Sequence, residues 1–159
     1  MMATTQSLDA MRSAEELGRE YLRALQAKDK QAIFSIIADD FALEVPLNLS
    51  GTNDYSDSWR GLAAADANYD TTFRIIQDLV YTDLEFSPCR DPDVAFAEGL
   101  GVMTMANGRP YRNRYVFRFE TEGGKIRRIR EYANPVTSAV AFGLPLPQSS
   151  DDGVADSFV

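Results

Sequence analysis

The segment "IRRIREYANP", residues 126–135, sets a carboxylate, Glu131, beside apolar positions just before an Asn-Pro pair. It alternates with period two, as a strand does, so Arg127, Ile129 and Glu131 share one face and Ala133 continues it. A carboxylate on such a face loses water, its pKa rises, and a carboxyl titrating near neutrality can give or take a proton. A second carboxylate, Glu98, lies in the row Val94, Phe96, Leu100, Val102 of "VAFAEGLGV". Both could point into one cavity. The residues alone leave the alternative open that Arg127 or a neighbouring arginine neutralises Glu131 in a structural pair.

A third pattern supplies a wall for such a cavity. In "YRNRYVFRF", Tyr111, Asn113, Tyr115, Phe117 and Phe119 fall on one side, and Arg112, Arg114, Arg118 and Val116 on the other. An aromatic face with polar handles suits a small-molecule pocket, or else a core whose tyrosine hydroxyls reach its rim. Trp59 beside Arg60 is a candidate for the pocket mouth. Gly99 and Gly101 inside a strand indicate a bend or a close approach, and Asp39-Asp40 after a helix reads as a turn or cap.

Composition narrows the chemistry. The 159 residues carry 16 basic and 24 acidic side chains, net −8, and such a balance opposes nucleic acid and anionic membrane as partners. There is no histidine, which removes the usual neutral-pH base and the commonest transition-metal ligand. Neither metal-ligand spacing nor a phosphate loop is found, so no metal is expected. The single cysteine, Cys89, fits a reducing, cytoplasmic setting. No apolar run has the length of a membrane span.

The elements that must position these residues follow from periodicity. "SAEE" is a capping box at Ser13 and Glu16, opening a helix with Leu17, Tyr21, Leu22 and Leu25 on one stripe. A second helix starts at Asp29, ends at "ADD" and buries Ala32, Ile33, Ile36 and Ile37; "FALEVPL" follows as a short strand. "NLSGTNDYSDSW" is a loop of turn formers, and a third helix runs from about Leu62 to Ile76 with Tyr69, Phe73 and Ile76. Four strands then alternate through "LVYTDLEF", "DVAFAEGLGVMTMA", "RPYRNRYVFRFET" and "KIRRIREYAN", with turns at Asn107-Gly108 and Gly123-Gly124. Asn134-Pro135 is expected to stop the last one. Helices first and strands after predict one α+β domain over residues 13–143, with a flexible leader at 1–12 and a loose tail at 144–159.

Several stretches together resemble the nuclear transport factor 2-like superfamily, in its SnoaL-like branch. "REYLRALQAKDKQAIFSIIADDFALEVP" is similar to the opening helices of ketosteroid isomerases and polyketide cyclases in that group. "DPDVAFAEGLG", "YRNRYVFRFETEGGKIRRIREYANP" and "AFGLPLPQ" resemble the phenazine-biosynthesis A/B proteins, and the likeness covers roughly residues 15–150. The resemblance implies a cone of curved antiparallel sheet around N-terminal helices, a cofactor-free internal pocket, and a homodimer. It implies that Glu131 matches the acid–base glutamate of the phenazine-type proteins, whose histidine and serine fall at Asn68 and Thr72. Tyr21 matches the oxyanion-binding tyrosine of the isomerases; Val45 replaces their base, and Tyr115 stands where they have an aspartic acid. Gly99 and Gly101 take the place of the arginine and aspartate of limonene-epoxide hydrolases.

The function expected is isomerisation or cyclisation of a hydrophobic natural-product intermediate. Glu131 would move the proton, and Tyr21 and Tyr115 would donate hydrogen bonds to the developing oxyanion. Trp59, Asn68, Tyr69, Thr72, Glu98, Asn113 and Phe117 would bind the substrate. Two alternatives stay open: a pericyclic closure driven by shape alone, and a binding protein without catalysis.

Overall fold

A computed structural model of the chain describes residues 11–148. The first helix, α1 (Ala14–Gln26), starts at the expected capping box: Ser13 accepts from the Glu16 amide and the Glu16 carboxylate accepts from the Ser13 amide. Its stripe of Leu17, Tyr21, Leu22 and Leu25 is buried. Asp29 caps α2 (Lys30–Ile36). Lys28, at φ 54°, turns the chain between the two helices and donates from Nζ to the Phe73 and Ile76 carbonyls at the end of α3 (Leu62–Ile75). A cation on those last carbonyls suits the negative end of the helix dipole and ties α3 to the α1–α2 turn.

The strands are β1 (Ile37–Val45), β2 (Asp57–Arg60), β3 (Ile76–Asp78), β4 (Tyr81–Pro88), β5 (Val94–Met105), β6 (Pro110–Glu122) and β7 (Lys125–Ala133). They form one sheet in the order β2-β1-β7-β6-β5-β3, and β4 lies beside β3 on the same edge of β5. The curled sheet folds around α1 as the expected α+β cone, and it is mixed rather than purely antiparallel, because β1 runs parallel to β7. The "ADD" segment belongs to β1 and not to a turn. "LVYTDLEF" enters β4 only at Tyr81, with Leu79 and Val80 linking it to the short β3 before it, and "DSW" at the end of the expected loop lies in strand β2.

Asn134-Pro135 ends β7 as expected and also starts a further helix. Asn134 accepts from the Val136 and Thr137 amides and caps α4 (Pro135–Phe142), with Pro135 in the first turn and Gly143, at φ 70°, closing it. Asn cap, N-terminal proline and C-terminal glycine are the usual helix punctuation, here compressed into eight residues. Of the expected tail, residues 149–159 lie outside the described residues, as do residues 1–10 of the expected leader; Arg12 pairs with Glu20.

Alternation on β5 gave the right phase and the wrong side. The inward row is Ala95, Ala97, Gly99, Gly101 and Met103, while Val94, Phe96, Glu98, Leu100 and Val102 face outward. Small residues inside make room for α1 and for the tyrosines of β6. At Gly101 a Cβ would stand 2.5 Å from Cε2 of Tyr115. Gly101→Ala should therefore displace the Tyr115 ring and destabilise the fold by about 1–3 kcal/mol, the usual range for overpacking. Denaturant unfolding measures this, and an unchanged midpoint would contradict it.

Candidate active site

A cavity of about 410 Å³ opens between α1, α3, α4 and the concave side of the sheet. Its walls are largely apolar: Leu25 from α1, Leu43 and Val45 from β1, Leu47 and Leu49 from the following loop, Ile75 from α3, and Phe142 and Leu144 from the α4 end. Into it turn Tyr21, Asn68, Tyr69, Thr72, Tyr81, Tyr115, Glu131 and Trp59. Seven of the ten expected site residues thus come together. The side chains that line it include no lysine or arginine, and its acidic groups are Glu131 and, at the mouth, the exposed Asp57.

Glu131 reaches the cavity because β7 is bulged. Thr121 pairs with Ile126 and Glu120 with Arg128, so Arg127 is an extra residue on β7. Ile126 and Ile129 then both point inward, Glu131 and Ala133 follow Ile129, and Arg127 leaves the face. Arg127 pairs instead with Asp40 and Glu122. Among the described residues Glu131 has neither an ion pair nor a hydrogen-bond partner, and burial alone raises its carboxyl from 4.5 to about 7. The arginine-pair alternative therefore does not apply to it.

The tyrosines surround that carboxyl. Burial holds Tyr21, Tyr69, Tyr81 and Tyr115 above the ordinary phenol range, and a negative charge on Glu131 raises each further. They stay protonated at any physiological pH. Tyr21 and Tyr69 share one hydrogen bond, Oη to Oη at 3.0 Å, so one of their two hydroxyl protons is left for the cavity. Tyr115 differs from its expected role: it donates to Tyr111 Oη at 2.9 Å, which commits its proton away from a substrate oxyanion.

Three expected ligands of the substrate lie elsewhere. Glu98 is exposed on the outer face, for the reason given by the β5 row. Asn113 is buried on the inner side, but its amide is used on the backbone: Oδ1 accepts from the Asn134 N–H and Nδ2 donates to the Asn134 carbonyl. It thereby fixes the start of α4 against β6. Phe117 is fully buried beneath the cavity, edge-on to Tyr81 and stacked on Tyr115.

Tyr81, Tyr111 and Ser138 are cavity residues that sequence reasoning did not nominate. Tyr111 was on the inward row, and Ser138 was reachable once Asn134-Pro135 is read as a helix start. Tyr81 carried no signal, since its direction depends on the β3–β4 break. Among the described residues no three His, Cys, Asp or Glu side chains come together as a metal site would need, and no helix is long and apolar enough to cross a membrane.

The raised carboxyl also has a stability signature. Between pH 4.5 and 7 Glu131 is protonated in the folded chain and ionised in the unfolded one, so its contribution to stability falls as pH rises through this window. Glu131→Gln, which removes the titration, should be more stable than the parent by about 2–3 kcal/mol at pH 8 and nearly equal to it at pH 4. Unfolding curves at the two pH values test this; a difference that does not change with pH would contradict it.

Comparison with known proteins agrees with this geometry. The SnoaL-like domain family matches residues 18–129. Phenazine biosynthesis protein PhzA1 of Pseudomonas aeruginosa is 43% identical over 42 residues, 26% of this chain and 26% of that protein. The match therefore spans about a quarter of the curated relative. A candidate isomerase from Bacillus subtilis superimposes with a TM-score of 0.71 at 26% identity, over 85% of this chain and 96% of that one. A candidate polyketide cyclase from Pseudomonas putida KT2440 does so with a TM-score of 0.66 at 22% identity, over 81% of this chain and 97% of that one. With a cavity inside a curled sheet and a family match across most of its length, the chain belongs to the SnoaL-like domain family.

Proposed function

We propose that the chain is a cofactor-free isomerase or cyclase that moves a proton of a hydrophobic small molecule through Glu131. One observation carries the reading: a carboxyl group without a partner among the described residues, lining an apolar cavity, with its pKa raised to about 7. At that value it is half ionised at neutral pH, able to take a proton from carbon and return it elsewhere. The enolate formed in between would be met by a phenol proton from the Tyr21–Tyr69 pair or from Tyr81. Trp59, Asn68 and Thr72 would shape the space around the substrate. The likeness to a candidate isomerase, a candidate cyclase and a phenazine biosynthesis protein supports this class of reaction.

We propose further that the protein is a homodimer through the outer face of β5 and β6, where Phe96, Leu100, Val102 and Val116 leave apolar surface between arginines. Sedimentation equilibrium should then give twice the 17.7 kDa chain mass, and Val116→Asp should return it to the monomer. A monomeric parent at micromolar concentration would rule this out.

For the reaction, the intermediate that accumulates in a deletion strain is the substrate to assay. Glu131→Gln should fold normally and lower the rate about 10²- to 10⁴-fold. The parent's kcat/KM should show an inflection near pH 7 that the variant lacks. Full activity in the variant, or a parent rate flat across pH, would point to closure by substrate shaping. A ligand returned unchanged would point to binding alone.

A further inference from the structure

The hydroxyl groups on the β6 side of the cavity form a chain whose direction is fixed by backbone partners. The Asn113 amide can take only one orientation, because Oδ1 accepts from the Asn134 N–H at 3.1 Å and Nδ2 donates to the Asn134 carbonyl at 3.0 Å. The second Nδ2 proton is shared between Tyr111 Oη at 3.1 Å and Ser138 Oγ at 3.2 Å, and Tyr115 donates to Tyr111 Oη at 2.9 Å. With the Tyr115 proton aimed at it, Tyr111 sends its own proton to Ser138 Oγ at 2.9 Å, and Ser138 donates to the Asn134 carbonyl at 3.2 Å. Protons therefore run outward, from Tyr115 through Tyr111 and Ser138 to a helix carbonyl. On its cavity side Tyr115 Oη is left with a lone pair and no proton. Nothing in the cavity lining is cationic, so an anion entering here would lose its water without a counter-charge.

We infer that the substrate is an uncharged molecule bearing a hydroxyl or N–H group, which Tyr115 accepts as a hydrogen bond. This rests on the reading of the cavity as the substrate site and deepens it. The substrate has two polar ends: a donor toward Tyr115 on β6, and an acceptor toward the free phenol proton of the Tyr21–Tyr69 pair. Tyr115 is on this account a specificity-determining residue that rejects a molecule with only an acceptor at that end. Its selectivity is set by Ser138 on α4, two hydroxyls away.

The probe is estrone, a rigid molecule with a phenol at one end and a ketone at the other, compared with its phenol methyl ether and its phenol sulfate by calorimetric titration of the full chain. Estrone should bind about 10- to 100-fold more tightly than the ether, because the ether leaves the Tyr115 lone pair unpaired. The sulfate should bind more weakly than the ether. Tyr115→Phe keeps the ring stacked on Phe117 and should abolish the difference between estrone and ether. Ser138→Ala removes the acceptor of the Tyr111 proton, which can then turn toward Tyr115 and release the Tyr115 proton to the cavity, so the ratio should fall toward one. Equal binding of estrone and ether to the parent, a preference that survives in Tyr115→Phe, tight binding of the sulfate, or no binding of estrone overturns the assignment. Glu131→Gln separates this from the proton-transfer reading: it should retain the preference for estrone. A Gln variant with that preference and with full turnover of the natural substrate would defeat proton transfer and leave the donor requirement standing.

Discussion

The fold is organised around a carboxyl group that has no partner among the described residues. Removing an ionised carboxylate from water without a counter-charge is expensive, and the group responds by holding its proton. Glu131 sits on the concave side of β7, opposite Phe117 on β6 and among phenols that are themselves protonated. Each phenol is harder to ionise because Glu131 is near, so the cavity holds one titratable group near neutrality among groups that stay neutral. On the proposed reading, that separation would let a single residue serve as both acid and base without histidine.

The opposite solution is found one strand away. Glu44 on β1 is buried with the core, 2% exposed, and is surrounded by arginines: Arg60 at 2.5 Å and Arg130 at 3.1 Å, with Arg128 beyond at 3.8 Å. Leu43 and Val45, its neighbours in sequence, face the cavity. The pleat thus sorts charge by side. Arginines gather on the convex face and neutralise the carboxylate there, while among the described residues the cavity lining has no cation to offer Glu131. Glu44 is a structural carboxylate, and the contrast is what gives the unpaired state of Glu131 its meaning.

Much of this was legible in the sequence. The Ser13–Glu16 box, the Asp29 cap and the two glycine turns rest on local rules, and local rules held. The face of β6 was also readable, because aromatic residues and Asn113 on one side alternate with arginines and Val116 on the other from Tyr111 to Phe119. The losses came where a local pattern does not carry the needed information. Alternation on β5 gives two faces and does not say which is inside; bulk suggested the row with Phe96 and Leu100, whereas the space beside α1 and Tyr115 admits only alanine and glycine. The β7 bulge changes phase at Arg127, so an arginine that spacing aligned with Glu131 is turned to Asp40. The direction of the Tyr115 hydroxyl depends on Ser138, in a helix 27 residues beyond the Tyr111 that links them, and no spacing rule anticipates it.

The central claim is that Glu131 is a neutral acid up to about pH 7 because it is buried with no partner among the described residues. Its titration can be followed directly by carbon NMR of the side-chain carboxyl in protein labelled at glutamate, with Glu131→Gln identifying the signal. The account predicts a midpoint near pH 7 for this one resonance. A midpoint at the ordinary glutamate value of 4.5 would mean that the carboxylate is solvated or paired, and would contradict it.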